Sequence, residues 1–137
     1  MIIIQPGTVV NFTIGQKGTY VLFIRLIKEI PIVIQKKKLI LKPGFYIYVG
    51  SAFGAGGLSS RLHRHIRKIK QKHWHIDQVT MSDYAFVEGI GISLNKKIEC
   101  EIATKLSKIN FLDPITNFGN SDCGICQSHF FYIQGDE

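Results

Sequence analysis

Pro43-Gly44-Phe45-Tyr46-Ile47-Tyr48-Val49-Gly50-Ser51-Ala52, then a glycine loop (Gly54, Gly56, Gly57), then Leu58 onward to Lys72, is the stretch on which the fold turns. Pro43-Gly44 is a turn signal. The aromatic and β-branched residues after it favour a strand that stops at Gly50. Along that strand Tyr46 and Tyr48 share one face, while Phe45, Ile47 and Val49 share the other. The loop lets backbone approach a ligand closely. Leu58, Leu62, Ile66 and Ile69 recur with amphipathic helical spacing, which predicts a helix running to Lys72. It carries Arg61, Arg64, Arg67, Lys68, Lys70 and Lys72. Arg61, His65, Lys68 and Lys72 fall on a second line, so Arg61 and His65 point toward whatever the loop faces. Strand, loop and cationic helix together suit an anion; the plain alternative is a solvated basic face.

The rest of the composition agrees with an anionic partner. The chain has 137 residues, which fits one domain over residues 1–137. Hydrophobic residues make up 45%, enough for a core. Lys and Arg total 17 against 10 acidic residues, a net charge of +7, which favours polyanions, nucleic acid first. The apolar run at Met1 to Ile4 is too short for a membrane span and is cut at Pro6-Gly7. No signal peptide is visible, and three cysteines do not make a secreted disulfide frame, so the expected compartment is the cytoplasm.

Along the chain, residues 1–17 read as an irregular or strand-forming lead-in. Gly18 to Leu26 is a strand, apolar almost throughout, hence central and covered on both sides. Ile30 to Gln35 and Leu39 to Leu41 are two short strands around Lys36-Lys37-Lys38, an exposed turn or a nucleic-acid contact. His73 and His75 flank the single Trp74. On a strand they would share a face, as metal sites sometimes need; hydrogen-bonded histidines packing a helix end are commoner. Tyr84 to Ile90 is a further strand. Lys96 to Ile109 is a second helix with an apolar stripe of Ile98, Ile102, Ala103, Leu106 and Ile109. Glu99 borders that stripe, whereas Glu101 has Lys97, Thr104 and Lys105 as neighbours on a solvated face. A carboxylate against apolar surface is costly unless it is paired or binds a cation. Glu99 is therefore the better functional candidate, with a salt bridge to a buried arginine as its structural alternative. Asp113-Pro114 and Asn117 to Gly124 form a polar turn region, and Phe130 to Ile133 is a last short strand. The fold class is α+β: a small, mostly antiparallel sheet flanked by helices, with extra N-terminal β-hairpins and a C-terminal strand.

Gly18-Thr19-Tyr20 and Tyr48-Val49-Gly50 resemble the paired signature of the GIY-YIG nuclease superfamily. Leu58, Arg61 and His65 resemble its Leu-Arg-His helix, and Glu99 its metal-binding Glu. The chain from Gly18 to Tyr132 is most similar to a small archaeal and bacterial GIY-YIG-related family of unknown function. The shared features are the Tyr-Val-Gly-Ser-Ala and Gly-Gly-Leu run, His-Trp-His-Ile-Asp, Glu-Cys-Glu and Ser-Asp-Cys. Thr19 replaces the motif's Ile, the glycine loop is longer, and the family's last Asn has no clear match among Asn110, Asn117 and Asn120.

The resemblance implies a divalent-metal-dependent endonuclease acting on DNA rather than RNA, in repair or recombination. Glu99 would hold Mg2+ or Mn2+, for which one carboxylate plus waters suffices. Arg61 would grip the phosphate. Tyr20 would be the base or water positioner, needing a nearby cation to favour its phenolate. Tyr48 would orient water or phosphate, and His65 would relay a proton or bind phosphate. Gly50, Ser51, Gly56, Gly57, Arg64, Lys68 and Lys72 would contact the substrate. Separately, Cys123, Cys126 and His129 have zinc-ligand spacing, with Cys100, His73 or His75 as a fourth ligand; a redox pair or packing roles are the alternatives. Two other functions compete: a non-catalytic nucleic-acid-binding module, and a zinc-stabilised interaction domain.

Overall fold

A computed structural model describes residues 2–5, 15–119 and 126–135. Its elements are β1 (Ile2–Ile4), β2 (Gly18–Leu26), β3 (Ile30–Ile34), β4 (Lys37–Leu41), β5 (Gly44–Ala52), α1 (Gly57–Ile66), α2 (Asp77–Thr80), β6 (Ala85–Leu94), α3 (Glu99–Leu106), β7 (Leu112–Pro114) and β8 (Phe130–Ile133). Six strands form one sheet in the order β1-β6-β2-β5-β8-β7, and every pairing is antiparallel. The fold is α+β with a mostly antiparallel sheet and few helices.

The apolar strand β2 lies in the interior of the sheet, paired to β5 and β6 along its whole length. Alternation sorts its side chains between two cores. Tyr20, Leu22, Ile24 and Leu26 join Tyr46 and Tyr48 of β5, Leu58 and Leu62 of α1, Val79 of α2 and the inner residues of β3 and β4. Val21 joins Ile47 and Val49 on the opposite face, beneath Ala103 of α3. The β3–β4 hairpin is a separate two-stranded sheet. Its turn puts both Gln35 and Lys36 at positive φ, the backbone that a tight two-residue hairpin requires. Lys37 and Lys38 belong to β4 rather than to the turn, and both are exposed.

Several boundaries differ from the sequence reading. The strand expected to stop at Gly50 runs on to Ala52. The helix expected to reach Lys72 ends at Ile66, where Arg67 turns extended. The Lys70 ammonium accounts for the stop: it donates to the carbonyls of Arg64 (2.6 Å) and His65 (3.4 Å), groups that a longer helix would have used internally. Ile69, assigned to the apolar stripe, is 92% exposed as a result. The second helix is shorter than Lys96 to Ile109 at both ends. His73 and His75 lie outside any strand. Asp113-Pro114, read as part of a turn, belongs to an edge strand, Leu112–Pro114, paired with β8.

No described helix is long and apolar enough to cross a membrane.

Candidate functional site

The site forms where the sheet is left incomplete. β5 and β8 pair from Phe45↔Ile133 to Tyr48↔Phe130. Among the described residues, one further bond, from Val49 N to the His129 carbonyl at 2.8 Å, ends the contact. β5 nevertheless continues through residues 49–52, held on its other side by β2. Beside this overhang lies a hollow of about 170 Å3. Tyr48, Gly50 and Ser51 of β5, Arg61 of α1 and Glu99 at the start of α3 line it, together with His73, Trp74, His75 and Gly119.

Tyr20 and His65, both expected in the site, are not in this lining; they are buried beside it. Gly50 is the cross-strand neighbour of Tyr20. A Cβ added at Gly50 would collide with the phenol ring and hydroxyl of Tyr20, so only glycine lets this ring lie over the strand. The Tyr20 hydroxyl is 2.6 Å from His65 Nε2. The Arg61 guanidinium acts on the same hydroxyl as the nearby cation. His65 Nδ1 has no hydrogen-bond partner among the described residues.

Burial sets the protonation of this layer. Tyr20 and His65 are 0% and 1% exposed. Desolvation raises the Tyr20 pKa well above its ordinary value, reinforced by Tyr48 and only partly opposed by Arg61. Burial likewise raises that of Tyr48, against Arg61. His65 is pushed down to about 3, by burial first and then by Lys70 and Arg61. Arg61 is a cation acting on Tyr20, and burial outweighs it. Tyr20 stays a phenol and His65 a neutral imidazole at neutral pH.

The Arg61 guanidinium lies over Trp74, 4.1 Å from the ring centroid, which holds a cation in place at the rim. Neither Trp74 nor its role as a platform was recognised from sequence. The visible signal was a lone tryptophan between two histidines, thirteen positions beyond Arg61. His75 Nδ1 accepts from Gly119 N at 3.0 Å, which joins two lining segments.

Thr19 was also undervalued. Its buried hydroxyl donates to the Lys96 carbonyl at 2.7 Å and accepts from Ile98 N at 3.0 Å. The residue that departs from the Ile of the resembled motif thus ties β2 to the lead-in of α3 and places Glu99. That carboxylate sits in the first turn of α3, where the helix dipole favours negative charge. Glu101 instead pairs with Lys105 at 3.5 Å on an exposed face.

Other expected substrate contacts are occupied elsewhere or lie outside the hollow. Arg64 donates to Asp77 Oδ2 at 2.6 Å and to the Gln71 carbonyl at 2.7 Å. Lys68 donates to the carbonyls of Ser82 and Ala85 at 2.6 and 2.5 Å. Lys72 is exposed, borders a separate depression with Arg64 and Trp74, and shares no helix face with Arg61. Gly56 and Gly57 are not in the lining. Gly57, at φ +61°, packs so closely on Gln16 that a Cβ would strike its carbonyl. The N–H groups of Gly57 and Leu58 donate to Gly54 O and Gln16 O, so the loop spends these donors on its own chain instead of on an anion. Asn110 and Asn117 are both exposed, and neither reaches the hollow. Asn120 lies outside the described residues.

A second cluster lies behind Glu99. Cys100, Cys126 and His129 bring their ligand atoms within 4.8 Å of one another. His73 and His75, the other suggested fourth ligands, line the hollow instead. Cys123 lies outside the described residues.

Comparison with curated proteins and with solved structures gives no match. Comparison with protein families does: residues 19–137 match the family described as domain of unknown function DUF123. This span takes in β2 from Thr19 onward and the Cys126–His129 segment, and the chain belongs to that family.

Proposed function

We propose that the protein is a divalent-metal-dependent endonuclease of GIY-YIG type that hydrolyses phosphodiester bonds in DNA. One observation carries the reading: Tyr48, Arg61 and Glu99, from three separate elements, line one hollow beside the Tyr20–His65 pair. Their chemistry is complementary. Glu99 is the only carboxylate among the described residues of the lining. Its hard oxygens suit Mg2+ or Mn2+, which keep several waters when held by few protein ligands. Such an ion, when bound, supplies Lewis acidity at the phosphate. Arg61 grips the phosphate by charge-assisted hydrogen bonds, and Trp74 fixes its plane. Tyr48 orients water or phosphate through its hydroxyl. Tyr20 and His65 are positioning residues, because burial keeps both from the substrate and they act through Arg61. The net charge of +7 draws the polyanion in. Repair or recombination in the cytoplasm is the setting this reading favours.

The test is a panel of linear and branched DNAs incubated with manganese. Wild type is expected to nick at least one of them. Glu99→Ala should lose about 100-fold or more of that activity, the scale of removing a key electrostatic group, while still binding DNA. Binding without metal-dependent nicking across the whole panel would leave the second reading, a non-catalytic nucleic-acid module. The observation on its side is the complete burial of the Tyr20 hydroxyl.

A further inference from the structure

The Cys100–Cys126–His129 cluster is a separate piece of chemistry, and nothing in it depends on the nuclease reading. Two sequence-distant segments converge here. Cys100 is on the first turn of α3; Cys126 and His129 precede β8. His129 Nε2 lies 3.0 Å from Cys126 Sγ and 4.0 Å from Cys100 Sγ. The other ring nitrogen, Nδ1, faces Glu99 Oε2 at 3.8 Å. The imidazole is thus oriented with one nitrogen toward two sulfurs and the other toward a carboxylate. His129 is 2% exposed and Cys126 9%.

We propose that the reduced cluster binds a zinc ion through Cys100 Sγ, Cys126 Sγ and His129 Nε2, with Glu99 behind the histidine. Tetrahedral zinc, with bonds of about 2.0 to 2.3 Å, places neighbouring ligand atoms about 3.5 Å apart. The observed separations, 3.0 and 4.0 Å and none above 4.8 Å, straddle that figure. Sulfur and imidazole are the ligand set that zinc prefers. The Glu99 carboxylate faces the far nitrogen from 3.8 Å, beyond hydrogen-bond length but on the side where carboxylates recur behind zinc-bound histidines. Three protein ligands leave one tetrahedral position for a further donor.

Cys100 is disulfide-bonded in the structure, so zinc binding requires reduction first. A thiol reductant supplies two electrons and two protons. The S–S bond breaks, two S–H groups form, and the reductant becomes a disulfide. Cys100 and Cys126 then each release a proton as their thiolates bind the ion. A reducing cytoplasm keeps thiols in that state. The ion ties the start of α3 to the lead-in of β8 and, through His129, steadies Glu99 at the hollow.

The full chain, reduced and stripped with a chelator, is titrated with zinc and, in parallel, with cobalt as a spectroscopic substitute. One zinc per chain and a thiolate-to-cobalt charge-transfer band are expected. Cys126→Ser and Cys100→Ser should each weaken the band, and His129→Ala should shift its ligand-field spectrum. Glu99→Gln should keep the metal whether or not it keeps DNA cleavage, which separates this site from the nuclease reading. The wild-type titration needs no variant to fold. No band in the reduced wild type, or a band unchanged in Cys100→Ser, overturns the assignment.

Discussion

Arg61 and Arg64 lie three residues apart on α1 and lean on the same indole, at 4.1 and 4.8 Å from its centroid. Their partners differ. Arg64 is committed to Asp77, a carboxylate 0% exposed. Asp77 Oδ2 also accepts from the N–H groups of His73 and Trp74, at 2.8 and 2.9 Å. Burial alone would raise the pKa of Asp77. Those two N–H groups and the Arg64 guanidinium outweigh it and hold the carboxyl below its ordinary value. Arg61 meets the neutral Tyr20 hydroxyl and the hollow instead. One helix thus presents a cation paired with a carboxylate inside the fold and, a turn away, a cation at the hollow, which the proposed reading gives to a phosphate. A count of basic residues cannot separate the two; the location of the carboxylate can.

That contrast is open to direct attack. The largest expected effect is on Asp77→Ala, which strands Arg64 and two backbone donors. Urea denaturation should report a loss of about 3 to 5 kcal/mol, the scale for breaking a buried ion pair; a loss near zero would dissolve the distinction. Arg61→Ala should lower DNA cleavage by about 100-fold or more and shallow the salt dependence of DNA binding by about one phosphate contact, with little change in stability. If Arg61→Ala unfolds the protein and leaves the salt slope alone, the roles of the two arginines have been exchanged.

His65 supplies a pH test of the buried layer. Its folded pKa is about 3, against about 6.5 for an unfolded histidine. Below the unfolded value, the unfolded chain takes up a proton that the folded chain refuses, so stability falls as pH drops from about 6.5 toward 3. At about pH 4.5 the loss is about 2 to 3 kcal/mol. His65→Gln should flatten this part of the stability–pH curve, and an unchanged slope would mean that another group titrates there. The smallest effect concerns Thr19→Val. Losing its two hydrogen bonds should cost about 1 to 2 kcal/mol in denaturant titration, and cleavage should drop without any change in DNA binding, because Glu99 loses its anchor.

Sequence legibility followed how local the cause was. β2 spans Gly18–Leu26, as its apolar run indicated, and β8 spans Phe130–Ile133. Both are set by residue type and alternation. The end of α1 is set by Lys70 folding back on two carbonyls, and nothing in the spacing of Ile66 and Ile69 carries that information. The start of α3 is set by Thr19, about eighty residues earlier in the chain. For the candidate site, Tyr48, Arg61 and Glu99 were singled out and share a wall. The glycine loop, Arg64 and Lys68 were singled out for the same anion, but the fold uses their polar groups internally. Trp74 was missed because its contact with Arg61 exists only after the chain turns back on itself.

The mismatch in length between β5 and β8 has one more consequence. The last ladder pair is Tyr48↔Phe130, and Gly50 and Ser51, beyond it on β5, line the hollow. Under the proposed reading, a final strand beginning a residue or two earlier would narrow the groove for nucleic acid and leave its lining residues unchanged.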